Sequence, residues 1–195
     1  RYVTGVQTCA LPICVTGGLY RGRKIDCPPG VIRPAMDRMR ESMFAILGNQ
    51  EGTTWLDLFS GSGSIGIEAA SRGATLVHLV ERDRGKKDTI MKNIAYVETP
   101  IRLFLSDAFR FIVQAKVEYD VVYADPPFPM EEKVRLLEAV ERNKILKTGG
   151  LFIIHYPAEE KAEWPERSGN LRSIDERTYG RSTLRFYKRE EDESQ

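Results

Sequence analysis

The chain has 195 residues, 42% of them hydrophobic and 29% charged, with 29 Lys and Arg against 28 Asp and Glu for a net charge of +1. That balance excludes the disordered and collagen-like classes, and with no uninterrupted apolar run of roughly 18 residues there is no candidate membrane-spanning helix. No basic start leads into an apolar middle as in a signal peptide, so the expectation is a cytoplasmic protein that acts away from membranes.

The cysteines, Cys9, Cys14 and Cys27, all fall in the first 27 residues, and the two histidines, His78 and His155, are far apart. Neither set has a zinc spacing or a disulfide framework, so no metal and reduced thiols are expected. Charge is unevenly spread. Residues 14–40 carry six Lys and Arg against two acids, and residues 172–189 again carry six against two. Basic ends around a near-neutral body fit a polyanionic substrate laid across one edge, with solvated surface charge as the alternative.

Residues 1–13 fit no element. They resemble the translation of a sequencing-adapter oligonucleotide, and we read them as a non-native leader outside the fold. Residues 14–48 read as a hairpin and a helix. Val15-Thr16-Gly17-Gly18-Leu19-Tyr20 with Arg21, Arg23 and Lys24 has the glycine-rich turn of a short hairpin. Pro34 then suits a first helical turn, Met36, Met39, Met43 and Leu47 recur at helical spacing, and Gly48 stops the run. The methionine stripe is core, and Arg33, Asp37, Arg38 and Arg40 fall off it.

Residues 49–195 read as one α/β domain. Strands are expected at 54–59, 75–81, 101–105, 119–125 and 151–156, with helices at 65–72, 84–97, 108–116 and 131–144. This alternation implies parallel strands joined by right-handed crossovers, with helices on both faces. A charged loop follows, and the strand-like runs 171–177 and 182–188 would close a seven-stranded sheet as an antiparallel hairpin.

Three strand ends carry chemistry. Asp57-Leu58-Phe59-Ser60-Gly61-Ser62-Gly63-Ser64-Ile65-Gly66 lies where the first strand of the domain turns into its first helix, with Gly61, Gly63 and Gly66 in a G-x-G-x-x-G pattern. Glu81 follows about 20 residues on, placed to accept from ribose hydroxyls. Asp57 at the strand end disfavours a diphosphate and favours a ligand with a sulfonium and an ammonium, so S-adenosylmethionine is preferred to a nicotinamide dinucleotide. Asp107 after the third strand either accepts from an adenine amine or caps the helix at Ala108, or does both. After the fourth strand, Asp125-Pro126-Pro127-Phe128 makes a rigid rim: each proline fixes φ and removes a donor, which leaves acceptors beside a ring. An exocyclic base amine needs such acceptors, because its lone pair is delocalised until its N–H bonds are held; Phe128 would stack on the base.

With those motifs in place the chain resembles the RsmD family of guanine-N2 methyltransferases of small-subunit ribosomal RNA. The pieces that carry the resemblance are Thr16 to Lys24, Arg33 to Glu41, Leu56 to Gly63, Asp125 to Phe128, and Tyr179-Gly180. Ala35-Met36 stands where such proteins often carry threonines. The resemblance implies a Rossmann-like fold, S-adenosylmethionine as donor with S-adenosylhomocysteine as product, and 16S rRNA, within an assembly intermediate, as acceptor. It further implies that Asp57, Phe59, Gly61 and Gly63 bind the donor with Glu81, Asp107 and Ala108, and that Arg33 and Asp37 cover it. Asp125, Pro126 and Phe128 would hold the base, Arg21, Arg23, Lys24 and Arg38 the RNA, in a monomer. Methylation of adenine N6 or another nucleic-acid amine is the nearer alternative, and a nicotinamide-dependent oxidoreductase the remote one.

Overall fold

The computed structural model describes residues 13–27 and 34–191. Its first element is a two-stranded antiparallel ribbon, β1 (Ile13–Cys14) with β2 (Lys24–Ile25), in which Ile13 faces Ile25. The described residues thus begin at Ile13, the last residue of the expected leader; residues 1–12, with Cys9, lie outside the described residues, as does Arg33. Helix α1 (Pro34–Leu47) follows, with Met39 and Met43 of the expected stripe buried, Leu47 half-buried and Phe44 buried beside them, and Gly48 closes it at φ 68°. Arg40, which the periodicity places off the stripe, is also buried, reaching the Cys14 carbonyl and the carboxylates of Asp37 and Glu68.

The domain then alternates: β3 (Thr54–Asp57), α2 (Ser64–Ser71), β4 (Leu76–Glu81), α3 (Lys87–Ile94), β5 (Ile101–Leu105), α4 (Ala108–Gln114), β6 (Tyr119–Ala124), α5 (Val134–Arg142) and β7 (Leu146–Pro157). Two long strands, β9 (Leu171–Tyr179) and β10 (Ser182–Arg189), form the expected hairpin, with a two-residue edge strand β8 (Arg167–Ser168) before them. The sheet order is β5-β4-β3-β6-β7-β10-β9-β8, parallel from β5 to β7 and antiparallel through β10 and β9. Eight strands therefore replace the seven expected. β8 is too short to show a period. β7 begins five residues before the expected start, because Ile145 accepts from the Tyr119 amide and Leu146 pairs with Tyr119 ahead of a bulge across Gly149-Gly150.

Alternation along the strands sorts side chains to two faces. Trp55, Val121, Tyr123, Ile153, Leu184 and Phe186 pack with Met39, Met43, Phe44 and Ile67 on one side. Leu56, Val122, Phe152, Ile154 and Tyr187 pack with Phe111, Ile112, Leu136 and Leu137 on the other. Burial on both faces accounts for the continuously apolar strands. Chain order reverses between β3 and β6, so the crevice outside their carboxyl ends is the natural ligand site of the sheet.

Candidate active site

The turn after β3 is built by its own backbone. Ser60 and Gly61 donate their amides to the Val80 carbonyl and the Glu81 Oε2, each at 3.0 Å, which latches the glycine loop to the end of β4. Gly63 caps α2 at φ 82° and Gly61 stands at φ 56°, left-handed conformations that a side chain disfavours. Gly66 is constrained differently: a Cβ there would stand 2.5 Å from Leu79 Cδ2 and 2.9 Å from Val77 Cγ1, so its bareness sets how closely α2 lies on β4.

The loops after β3, β4, β5 and β6 surround a cleft of about 1010 Å³. Of the residues expected to bind donor or base, Phe59, Gly61, Glu81, Asp107, Ala108, Asp125, Pro126 and Phe128 line it. Glu81 also accepts the Asp83 amide at 2.8 Å and lies 3.4 Å from the Lys86 ammonium, so it is both latch and wall. Asp107 makes the cap: one oxygen accepts from the Phe109 and Arg110 amides at 2.9 and 3.2 Å. That uses a single carboxylate oxygen, and the residue still faces the cleft, so its two readings are compatible in geometry.

Asp57 and Gly63 are not in this wall. Asp57 is 1% exposed and, among the described residues, accepts only a 3.3 Å bond from the Phe59 amide. Burial pushes its carboxyl up to about 8, against that bond, and the charges of Asp125 and Glu81 push the same way. Burial, Asp125 and Asp57 likewise hold the Tyr123 hydroxyl well above its ordinary range. The carboxyls of Glu81 and Asp125, at the ends of β4 and β6, face the cleft and suit a cationic ligand better than a diphosphate, which argues against the nicotinamide reading. Asp37 stays outside the cleft wall and pairs with Arg40 at 3.3 Å.

Asp125 ends β6, and the parallel register that sets Ala124 beside Ile154 brings it to His155 on β7. His155 Nδ1 lies 2.6 Å from Asp125 Oδ1, and the Phe128 ring stands 5.6 Å from the imidazole at a tilt of 59°. Behind the rim, the buried Lys133 ammonium donates to the Phe128 and Met130 carbonyls at 2.9 and 2.8 Å and to Glu160 at 2.7 Å. Sequence reading named neither His155 nor Lys133 as part of the site. Arg82, Asp83 and Lys86, also in the wall, were findable from the rule that strand-end loops face the crevice.

The expected RNA contacts are exposed: Arg21, Arg23, Lys24 and Arg38 all reach solvent, with Arg23 5.2 Å over the Tyr96 ring. The hairpin tip docks at the far end of α2, where Leu19 donates its amide to the Ser71 carbonyl and Tyr20 to the Ser71 hydroxyl. The eight-residue helix sets it about 12 Å from the glycine loop. The second basic cluster is partly paired: Arg172, Arg177, Arg181 and Arg185 meet Glu190, Asp175, Glu159 and Glu166.

Fold and cleft together define a Rossmann-like methyltransferase, a class that takes its methyl group from S-adenosylmethionine. The chain belongs to the RsmD family, since the family model described as Conserved hypothetical protein 95 matches residues 13–188. It is 35% identical over 185 residues to ribosomal RNA small subunit methyltransferase D of Escherichia coli K12, covering 91% of this chain and 90% of that one. The YlbH protein of Bacillus subtilis is 31% identical over 182 residues, 90% of this chain and 98% of its own. The solved structure of yhhF from Escherichia coli superposes with a TM-score of 0.82 at 32% identity, covering 93% of this chain and 99% of that one.

Proposed function

We propose that the protein methylates the exocyclic N2 amine of a guanine in 16S rRNA, acting as a cytoplasmic monomer on a small-subunit assembly intermediate. The observation that carries this reading is one cleft with Gly61 and Glu81 on one wall and Asp125 to Phe128 on the other. The relative named ribosomal RNA small subunit methyltransferase D supplies the substrate class.

S-adenosylmethionine supplies a methyl group on a sulfonium. Its ribose fits Glu81, its adenine Asp107 and Ala108, and its cationic end the Asp125 carboxyl, with Phe59 and Gly61 shaping the loop beneath and Asp57 and Gly63 supporting that loop from behind. Asp125 Oδ2 and the Pro126 carbonyl accept the two N–H bonds of the amine. That localises the nitrogen lone pair and aims it along the line of displacement, where positioning supplies most of the rate. The base is turned out of its stack, and the Phe128 ring covers its face. Guanine also offers N1–H to the same carboxylate, which adenine lacks.

Label transfer from methyl-labelled donor to deproteinised 16S rRNA, small subunits and DNA tests the reading. Label should enter rRNA or subunits and not DNA, and Asp125→Ala should lower incorporation at least about 100-fold, the usual cost of removing a preorganised group aimed at the reacting atom. Equal labelling of DNA, or an active Asp125→Ala, would overturn it.

A further inference from the structure

His155 is 1% exposed, and its Nε2 is buried with no hydrogen-bond partner among the described residues. A buried imidazole that served only the core would satisfy both nitrogens or give way to an apolar side chain, because an unmade buried hydrogen bond costs stability. Leu56, Val122, Phe152 and Ile154 show that the surrounding strands are otherwise built from such side chains. What an apolar residue could not supply here is the 2.6 Å contact from Nδ1 to Asp125 Oδ1.

The open Nε2 also fixes the proton. An imidazolium, or a neutral ring protonated at Nε2, would bury an N–H with no acceptor. A ring protonated at Nδ1 leaves only a lone pair unmatched, and its N–H then donates to Asp125 Oδ1. We propose that His155 is a positioning residue for methyl transfer: its Nδ1–H holds Asp125 Oδ1 so that Oδ2 is turned to the substrate amine. The assignment rests on the reading of Asp125 as the amine's acceptor. It gives the carboxylate one fixed rotamer, where a strand-end aspartate beside two prolines would otherwise turn freely about its side-chain bonds. His155 acts through Asp125 and forms no bond to the substrate.

Two substitutions separate this role from packing. His155→Leu removes the donor and keeps the bulk. His155→Asn puts an amide N–H where Nδ1 was. The Leu variant should lose on the order of 10- to 100-fold in kcat, the range found when a group that orients a reacting side chain is removed. Its KM for RNA and its calorimetric affinity for S-adenosylhomocysteine should stay within about threefold of the parent, and its melting temperature should be unchanged or higher. The Asn variant should recover most of the lost kcat. Parent-like kcat in the Leu variant, or an Asn variant that is folded and as slow as Leu, would overturn the proposal. Asp125→Ala in the same assay tells the two failures apart: if it is active, the reading of Asp125 is wrong; if it is dead while His155→Leu is not, only the role of His155 is.

Discussion

Asp57 shows how far one residue's chemistry depends on what lies around it. The sequence places it at a strand end and reads it as a ligand contact. The structure buries its carboxyl and pushes it up to about 8, with Asp125 and Glu81 adding to the effect of burial. A carboxyl raised in the folded state favours folding most below the ordinary carboxylate range and loses that contribution as pH rises toward 8. The melting temperature of the ligand-free protein should therefore fall between about pH 5 and 8, and Asp57→Asn should flatten the slope. A cationic ligand favours the ionised form, so S-adenosylmethionine binding below pH 8 should release a proton. Calorimetry in two buffers of different ionisation enthalpy reads that directly, and an Asp57→Asn variant with undiminished proton release would contradict the account. His155 was illegible for a different reason. It is 30 residues from Asp125, and only the β6–β7 register makes them neighbours.

At the scale of elements, the long periodic segments were legible. The methionine stripe gave α1, the apolar runs gave β3 to β6, and the glycine pattern gave the turn into α2. What the sequence could not show was how loops are tied down. The rim after β6 is held from behind by Lys133, the residue just before α5, whose ammonium meets two loop carbonyls and Glu160. Lys133→Met should leave the sheet intact, lower the melting temperature, and reduce kcat about tenfold by loosening Asp125 to Phe128. An unchanged kcat would show that the prolines alone hold the rim. Gly66→Ala tests the other wall. Its Cβ meets the Leu79 and Val77 side chains below ordinary contact distance, so either those side chains or α2 must shift. Denaturant unfolding should show a loss of about 1–3 kcal/mol, as for other overpacked sites, together with weaker binding of S-adenosylhomocysteine.

Over the whole molecule, the two basic ends seen in the sequence part company. Four arginines of the C-terminal one are engaged in ion pairs within β9, β10 and their neighbours, because the alternation that sets arginines along these strands also sets Asp175, Glu176 and Glu190 within reach. In the N-terminal one Arg40 is buried, while Arg21, Arg23 and Lys24 stay in solvent at the opposite end of α2 from the cleft. A nucleotide presented on a structured RNA can reach the cleft while its flanking backbone meets Arg21, Arg23 and Lys24. Replacing these three by Ala should weaken RNA binding and reduce the slope of log Kd against log salt by about 2, at roughly 0.7 per phosphate contact. An unchanged slope would remove the hairpin from the interface.

The measurement that bears most directly on the central claim is the identity of the methylated nucleoside. Small-subunit RNA labelled by the wild-type protein is digested to nucleosides and separated by chromatography with mass detection. The account predicts N2-methylguanosine as the labelled product, absent with Asp125→Ala. N6-methyladenosine as the sole product, or a methyl group at a ring nitrogen or ribose oxygen, would contradict it.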